Sequence, residues 1–184
     1  GSQKGLMLPP GMAFVALSPR AWAKAEKVRP TCFYFDLIGE RENCAKDQTH
    51  YTSPISLMVG LNEALKMLFE YGMENVFKKQ YALMKMARAG VEAMGLELFV
   101  KEEKYSTWGL TSICLPEGVK ASPVIAKAWK DCSVILTAGQ GELKEKVIRL
   151  AHMGWVDWAD IAAGLHALAY SLPEKPQGAY LEAA

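Results

Sequence analysis

Two residues in this chain have surroundings that could turn an ordinary side chain into a reagent. Lys4 lies between small residues and a Pro9-Pro10-Gly11 turn, just ahead of the apolar run Met12-Ala13-Phe14-Val15-Ala16-Leu17. A lysine held at a strand end in an apolar pocket has its charge disfavoured by desolvation, and an uncharged amine is a nucleophile at neutral pH. The bland alternative is a solvated surface charge near a terminus. Arg149 sits inside Val147-Ile148-Arg149-Leu150-Ala151. A guanidinium there is costly to bury unless it meets an anion. Either it pairs with a nearby carboxylate as an outward or edge-strand residue, or it meets some other anion.

The elements that must position these residues are legible in outline. Met12–Leu17 has no alternation and is too short for a helix, so it reads as a buried strand in need of neighbours. Ser18-Pro19 opens a short helix over Arg20 to about Glu26, with serine as cap and proline at the first position, and Arg29-Pro30 ends it. Residues 31–53 are aromatic at Phe33-Tyr34-Phe35, then mostly polar or charged, and read mainly as loop. Leu57, Leu61, Leu65 and Leu68 share one helical face up to Gly72. Val76, Leu83, Ala87, Val91 and Met94 repeat that pattern as far as Gly95, a natural helix-ending glycine.

Beyond Gly95 the texture changes. Leu96–Val100 and Trp108–Leu115 read as strands around a charged Lys101–Lys104 turn. Ser122-Pro123 starts a helix through about Asp131; Ser133–Thr137 and Val147–Ala151 are strands on either side of a flexible Gly139-Gln140-Gly141 loop. Asp157 caps a last helix with Ile161, Leu165, Leu168 and Leu172 inward. Helices over a small antiparallel sheet predict an α+β unit for residues 72–172. Residues 1–71 resemble the end of a larger α/β domain, and 173–184 a loose tail.

Composition narrows the partners. Net charge is +1, from 21 basic and 20 acidic residues in 184, with no excess to advertise nucleic acid or an anionic membrane. No apolar run reaches the roughly 20 residues of a membrane-spanning helix. The cysteines, Cys32, Cys44, Cys114 and Cys132, contain no CxxC pair, which favours reduced thiols and a cytoplasmic setting, or an organelle where a native N-terminus is missing. His50, His152 and His166 are too scattered for a metal site, so no metal is expected. Gly139-Gln140-Gly141 is not a phosphate loop, as no lysine–serine pair follows it.

The segment Gly1-Ser2-Gln3-Lys4-Gly5-Leu6-Met7-Leu8-Pro9-Pro10-Gly11 closely resembles the lysine segment of class V aminotransferases, the alanine–glyoxylate and serine–pyruvate enzymes of pyridoxal-phosphate fold type I. Phe33-Tyr34-Phe35-Asp36, His50-Tyr51-Thr52-Ser53-Pro54, Tyr71-Gly72-Met73-Glu74-Asn75 and Val147–Gly154 follow in family order, over roughly residues 1–172. The resemblance implies the C-terminal half of such a fold: the end of the large α/β cofactor domain over 1–71, then a complete small α+β domain. It implies that Lys4 forms the Schiff base with pyridoxal 5'-phosphate and moves the proton from Cα, with Gln3 bonding the cofactor near its phosphate.

Arg149 matches the arginine that binds the substrate α-carboxylate. Thr52 matches a threonine that reaches across a homodimer interface to the partner's cofactor phosphate. Three residues earlier the family carries a tyrosine; here it is Thr49, whose shorter hydroxyl leaves Tyr51 or His50 as replacements. The implied substrates are a small amino acid, alanine or serine, and a 2-oxo acid, glyoxylate or pyruvate. The residues that would pair with the pyridine nitrogen and stack on the cofactor ring fall upstream, in an N-terminal half. Two other readings stay open: a non-catalytic folding or dimerisation unit in which Lys4 is a free amine, and a lyase or desulfurase on the same fold.

Overall fold

The computed structural model describes residues 1–28, 31–174, 176 and 180–183. They divide into two compact units, 1–66 and 67–184, with the division falling inside one helix. The first unit carries helices Pro19–Lys27 (α1), Leu37–Cys44 (α2) and the start of Ile55–Tyr71 (α3). Ser18 caps α1 as its sequence implies, its hydroxyl accepting from the Ala21 N–H at 3.2 Å. The expected end of α1 at Arg29-Pro30 lies outside the described residues. Inside the segment read mainly as loop, Asp36 caps α2 through the N–H groups of Ile38 and Gly39. No residue of α2 is buried, so it shows none of the apolar periodicity that betrays a helix.

Met12–Leu17 forms no strand. Phe14 is 47% and Val15 64% exposed, and no described segment hydrogen-bonds alongside them as a ladder. A strand is defined by its partner, and apolar character alone does not supply one. Leu57, Leu61, Leu65 and Leu68 do share a half-buried stripe on α3.

The second unit holds the core. Helix Met73–Ala93 (α4) ends at Gly95, whose φ of 76° is the left-handed turn that a glycine makes without steric cost. Strands Glu97–Leu98 (β1) and Leu110–Cys114 (β2), helix Ala121–Cys132 (α5), strands Thr137–Ala138 (β3) and Val147–Ala151 (β4), and helix Trp158–Ser171 (α6) follow. A helical turn, Tyr180–Ala183 (α7), sets Tyr180 against the core within the terminal span. The sheet is antiparallel throughout, in the order β1-β2-β4-β3.

The strand expected over 133–137 begins only at Thr137 and runs to Ala138. Ser133 adopts a left-handed φ of 56° as it closes α5, and the chain cannot pair until it has left that turn. One face of the sheet is covered by α4, α5 and α6. Leu83, Ala87 and Val91 from α4, Val124 and Ala128 from α5, Ile161, Leu165 and Leu168 from α6 close over Ile113, Ile148 and Leu150. The period-2 alternation of β4 thus puts Ile148 and Leu150 into the core and Arg149 on the opposite face.

Candidate functional site

In the first unit, residues 2–12 form a pinned turn. Ser2 is fully buried, and its N–H donates to the Met12 carbonyl at 3.1 Å. Its hydroxyl donates to the Pro9 carbonyl at 2.7 Å and accepts from the Met12 N–H at 3.3 Å. The Leu8 N–H closes onto the Ser2 carbonyl at 3.2 Å. Within this frame the Met7 N–H bonds the Lys4 carbonyl at 2.9 Å, and Met7 takes a left-handed φ of 61°. A methionine in that region costs energy and persists because the surrounding bonds over-determine it.

Lys4 stands on this turn, exposed, and its amine has no hydrogen-bond or ion-pair partner among the described residues. The apolar pocket expected around it is not supplied by these residues. Gln3, also exposed, leaves its amide free to bond a ligand.

The turn is seated on α3. A Cβ added at Gly11 would meet Leu57 Cδ1 at 2.7 Å, and one added at Gly60 would meet Leu8 Cδ2 at 2.8 Å. Thr52 lies three residues before the first residue of α3, so the same helix anchors both segments. Its hydroxyl is exposed and carries no hydrogen bond among the described residues. Thr49 differs. Its hydroxyl is taken by the turn itself, donating to the Tyr51 carbonyl at 2.5 Å with Ser53 Oγ at 2.7 Å. Tyr51 bonds the Phe33 carbonyl at 2.8 Å and stacks on Tyr34 at 4.7 Å, and His50 Nδ1 faces the Asn43 amide at 3.0 Å. An amine without a partner beside a free amide, as at Lys4 and Gln3, can meet an aldehyde and a hydrogen-bond acceptor of one ligand; no distance joins the Thr52 hydroxyl to them.

In the second unit Arg149 is half-buried on the open face of the sheet, with Ser112 of β2 and Thr137 of β3 opposite it on either side. Its Nε donates to the Ala138 carbonyl at 2.8 Å. It is outward, as the first alternative has it, but no carboxylate pairs with it among the described residues. The two terminal nitrogens remain for a ligand, and their fork matches a carboxylate.

The strand bearing Arg149 is fastened by a residue that sequence reasoning set aside. His152, fully buried, continues the β4 ladder with its N–H on the Gly109 carbonyl at 3.0 Å. Its Nδ1 must carry the proton, since it donates to the Trp108 carbonyl at 2.9 Å; Nε2 then accepts from the Thr111 hydroxyl at 2.9 Å. The Gln80 amide, from α4, donates to the carbonyls of both Trp108 and His152. Burial pushes the His152 imidazole below its ordinary pKa, against a smaller upward pull from the Trp108 carbonyl. Scattered histidines argued against a metal and said nothing about a buried brace. Among the described residues no group of three or more His, Cys, Asp and Glu side chains is placed to hold a metal ion.

Comparison with known proteins places both units in one family. The family model for class V aminotransferases matches residues 1–143. A protein named as the small subunit of a soluble hydrogenase, from Synechococcus sp., is 37% identical over 95% of this chain and 45% of its own length. An L-aspartate–glyoxylate aminotransferase of Paracoccus denitrificans is 35% identical over 90% of this chain and 42% of its own. The chain thus spans less than half the length of these curated relatives.

Among solved structures, a pyridoxamine–pyruvate aminotransferase from Mesorhizobium loti matches with a TM-score of 0.92 and 28% identity, over 100% of this chain and 49% of that one. A ureidoglycine–glyoxylate aminotransferase from Bacillus subtilis gives a TM-score of 0.86 at 25% identity, with the same coverage. The fold is therefore that of about half of a pyridoxal-phosphate enzyme of fold type I, as the lysine segment implies. The chain belongs to the class V aminotransferase family.

Proposed function

We propose that the protein containing this chain is a pyridoxal-phosphate-dependent aminotransferase. It exchanges an amino group between a small amino acid, alanine or serine, and a 2-oxo acid, glyoxylate or pyruvate. The observation that carries this reading is the turn 2–12, which holds the free amine of Lys4 on a buried serine clamp within the segment matched by the family model. Pyridoxal phosphate, when bound, supplies the aldehyde that accepts the amino group and the electron sink that loosens the Cα–H bond.

The work of this chain is to hold and to aim. Lys4 Nζ would hold the cofactor through its aldehyde and, once freed by the amino acid, would take the proton from Cα and deliver it to the cofactor's C4′ carbon. Gln3 bonds the cofactor near its phosphate. Thr52 gives its hydroxyl to the phosphate of a second subunit in a homodimer; Thr49 contributes there only after giving up its own turn. Arg149 clamps the α-carboxylate of either substrate. An N-terminal half of the same enzyme completes the pocket. Names among the relatives that include aspartate, serine and alanine with glyoxylate support a dicarboxylate donor as a competitor to test.

The test is direct. Adding pyridoxal phosphate to the full-length protein produces a visible absorption band; borohydride fixes it, and peptide mapping locates the modification at Lys4. Alanine, serine and aspartate are then titrated in the half-reaction. Fixation elsewhere, or a band that no amino acid discharges, overturns the reading. The exposure of Lys4 favours a second reading for this chain by itself, as a folding and dimerisation unit. Expressed alone and folded, it then shows no band.

A further inference from the structure

We infer that the Ala138–Gly139 peptide is a positioning element for amino-acid binding, its carbonyl aiming the guanidinium of Arg149 at the substrate carboxylate. The inference rests on the proposed role of Arg149.

The peptide unit between Ala138 and Gly139 is held at both ends. Its N–H, from Gly139, donates to the Val147 carbonyl at 2.7 Å. Its carbonyl, from Ala138, accepts from Arg149 Nε at 2.8 Å. The two ends of one trans peptide point in opposite directions, and the unit is planar. With the N–H turned toward β4, the carbonyl faces the open side of the edge strand. The register agrees: Ala138 is opposite Ile148, the position whose own carbonyl the β3–β4 ladder leaves unused. Arg149 therefore lays its side chain across β3 to reach that carbonyl.

This fixes more than one bond. The guanidinium is planar and its Nε–H has a single direction, so anchoring it sets the plane in which the two terminal nitrogens lie. A carboxylate meeting that fork then loses little rotational freedom on the protein's side. Ser112 and Thr137, opposite Arg149 on the two neighbouring strands, are small and leave the face open.

Gly139 sets where the peptide sits. A Cβ there would lie 2.3 Å from the Leu143 carbonyl oxygen and 2.8 Å from its carbon. Both are backbone atoms in the helical turn Gly141–Leu143, so no side-chain rotation relieves the clash. Either β3 or the turn has to shift, and the Ala138 carbonyl shifts with the peptide. Gly139→Ala thus disturbs the aim of Arg149 while every atom of the arginine is retained.

The experiment uses the full-length holoenzyme with Gly139→Ala and Arg149→Lys. Both variants are expected to keep the borohydride-fixable band of the cofactor. The amino-acid concentration that half-saturates the half-reaction rises about 10- to 100-fold in each, the cost of a misplacement near 1 Å, with a smaller change in kcat. Nitrogen-15 arginine spectra of the wild type show an Nε–H protected from exchange that Arg149→Lys removes and Gly139→Ala deprotects. Unchanged amino-acid affinity in Gly139→Ala beside a loss in Arg149→Lys overturns the positioning role and leaves the carboxylate role standing. Unchanged affinity in Arg149→Lys removes the carboxylate role itself. Should Gly139→Ala fail to fold, the wild-type spectrum decides: an Arg149 Nε–H exchanging as fast as free arginine overturns the inference.

Discussion

Ser2 and Met12 are joined by a reciprocal pair of hydrogen bonds, the Ser2 N–H on the Met12 carbonyl at 3.1 Å and the Met12 N–H on the Ser2 hydroxyl at 3.3 Å. Between these two residues the chain turns through Lys4, the left-handed Met7 and Gly11. The lysine owes its fixed place to a neighbour whose own side chain never reaches the surface.

Ser2→Ala strands the Pro9 carbonyl and the Met12 N–H together. Both bonds are part-buried, and losing one such bond costs about 0.5–1.5 kcal/mol. A lower Tm and weaker retention of pyridoxal phosphate on dialysis are expected. A variant with wild-type values of both shows that the clamp does not hold the turn.

On the role proposed for Arg149, Arg149→Ala removes a charge-assisted pair with the substrate carboxylate. Amino-acid binding weakens by roughly 2–4 kcal/mol, while attachment of the cofactor to Lys4 persists. Titrating the visible band with alanine or serine measures the first, and borohydride fixation the second. An equal loss of both moves the arginine from substrate binding to folding.

His152 makes stability depend on pH with a definite sign. Burial depresses its pKa in the folded protein, so the unfolded chain takes up the proton first as pH falls through the ordinary histidine value of about 6.5. The stability this imidazole confers is whole above that value and drains away down to the folded one. His152→Asn is less stable at neutral pH, having lost bonds to Thr111 and Trp108, but its denaturation midpoint falls less steeply between about pH 7 and 5. Parallel curves for the two proteins would place the titrating group elsewhere.

Asp157 and Asp160 form a reciprocal cap on α6, with Asp157 accepting from the Ala159 N–H at 2.8 Å and Asp160 accepting from the Asp157 N–H at 2.9 Å. Asp157→Ala lowers stability by about 0.5–2 kcal/mol. Urea denaturation gives the difference. The same change at Ser18 affects only α1, which buries no residue, and leaves the main transition in place.

What could be read from residue order was whatever depends on side-chain type repeated in a period. The stripes of α4 and α6 and the alternation of β4 are of that kind, and the caps at Ser18 and Asp157 were legible from residue type at a helix start. The α2 helix was hidden because it buries nothing, and Asp36 was its only mark. Met12–Leu17 misled because apolar composition reports a wish for burial, not the presence of a ladder. At the site, the Ser-Gln-Lys segment drew attention to Lys4 and Gln3. The device that fixes them, a buried hydroxyl bonded to main chain, has no spacing signature. The same holds for the Ala138 carbonyl, since a backbone acceptor is present at every residue and only geometry selects one.

The bond from Arg149 to Ala138 has a second effect, on solubility. A two-residue border strand with the Ala138 carbonyl turned outward offers an edge on which another molecule can lay a strand of its own. A guanidinium draped over that border occupies the acceptor and puts positive charge on the rim. Replacing the arginine by a short side chain uncovers the rim, so self-association at high protein concentration is expected to rise alongside the loss of amino-acid binding that the proposed role entails.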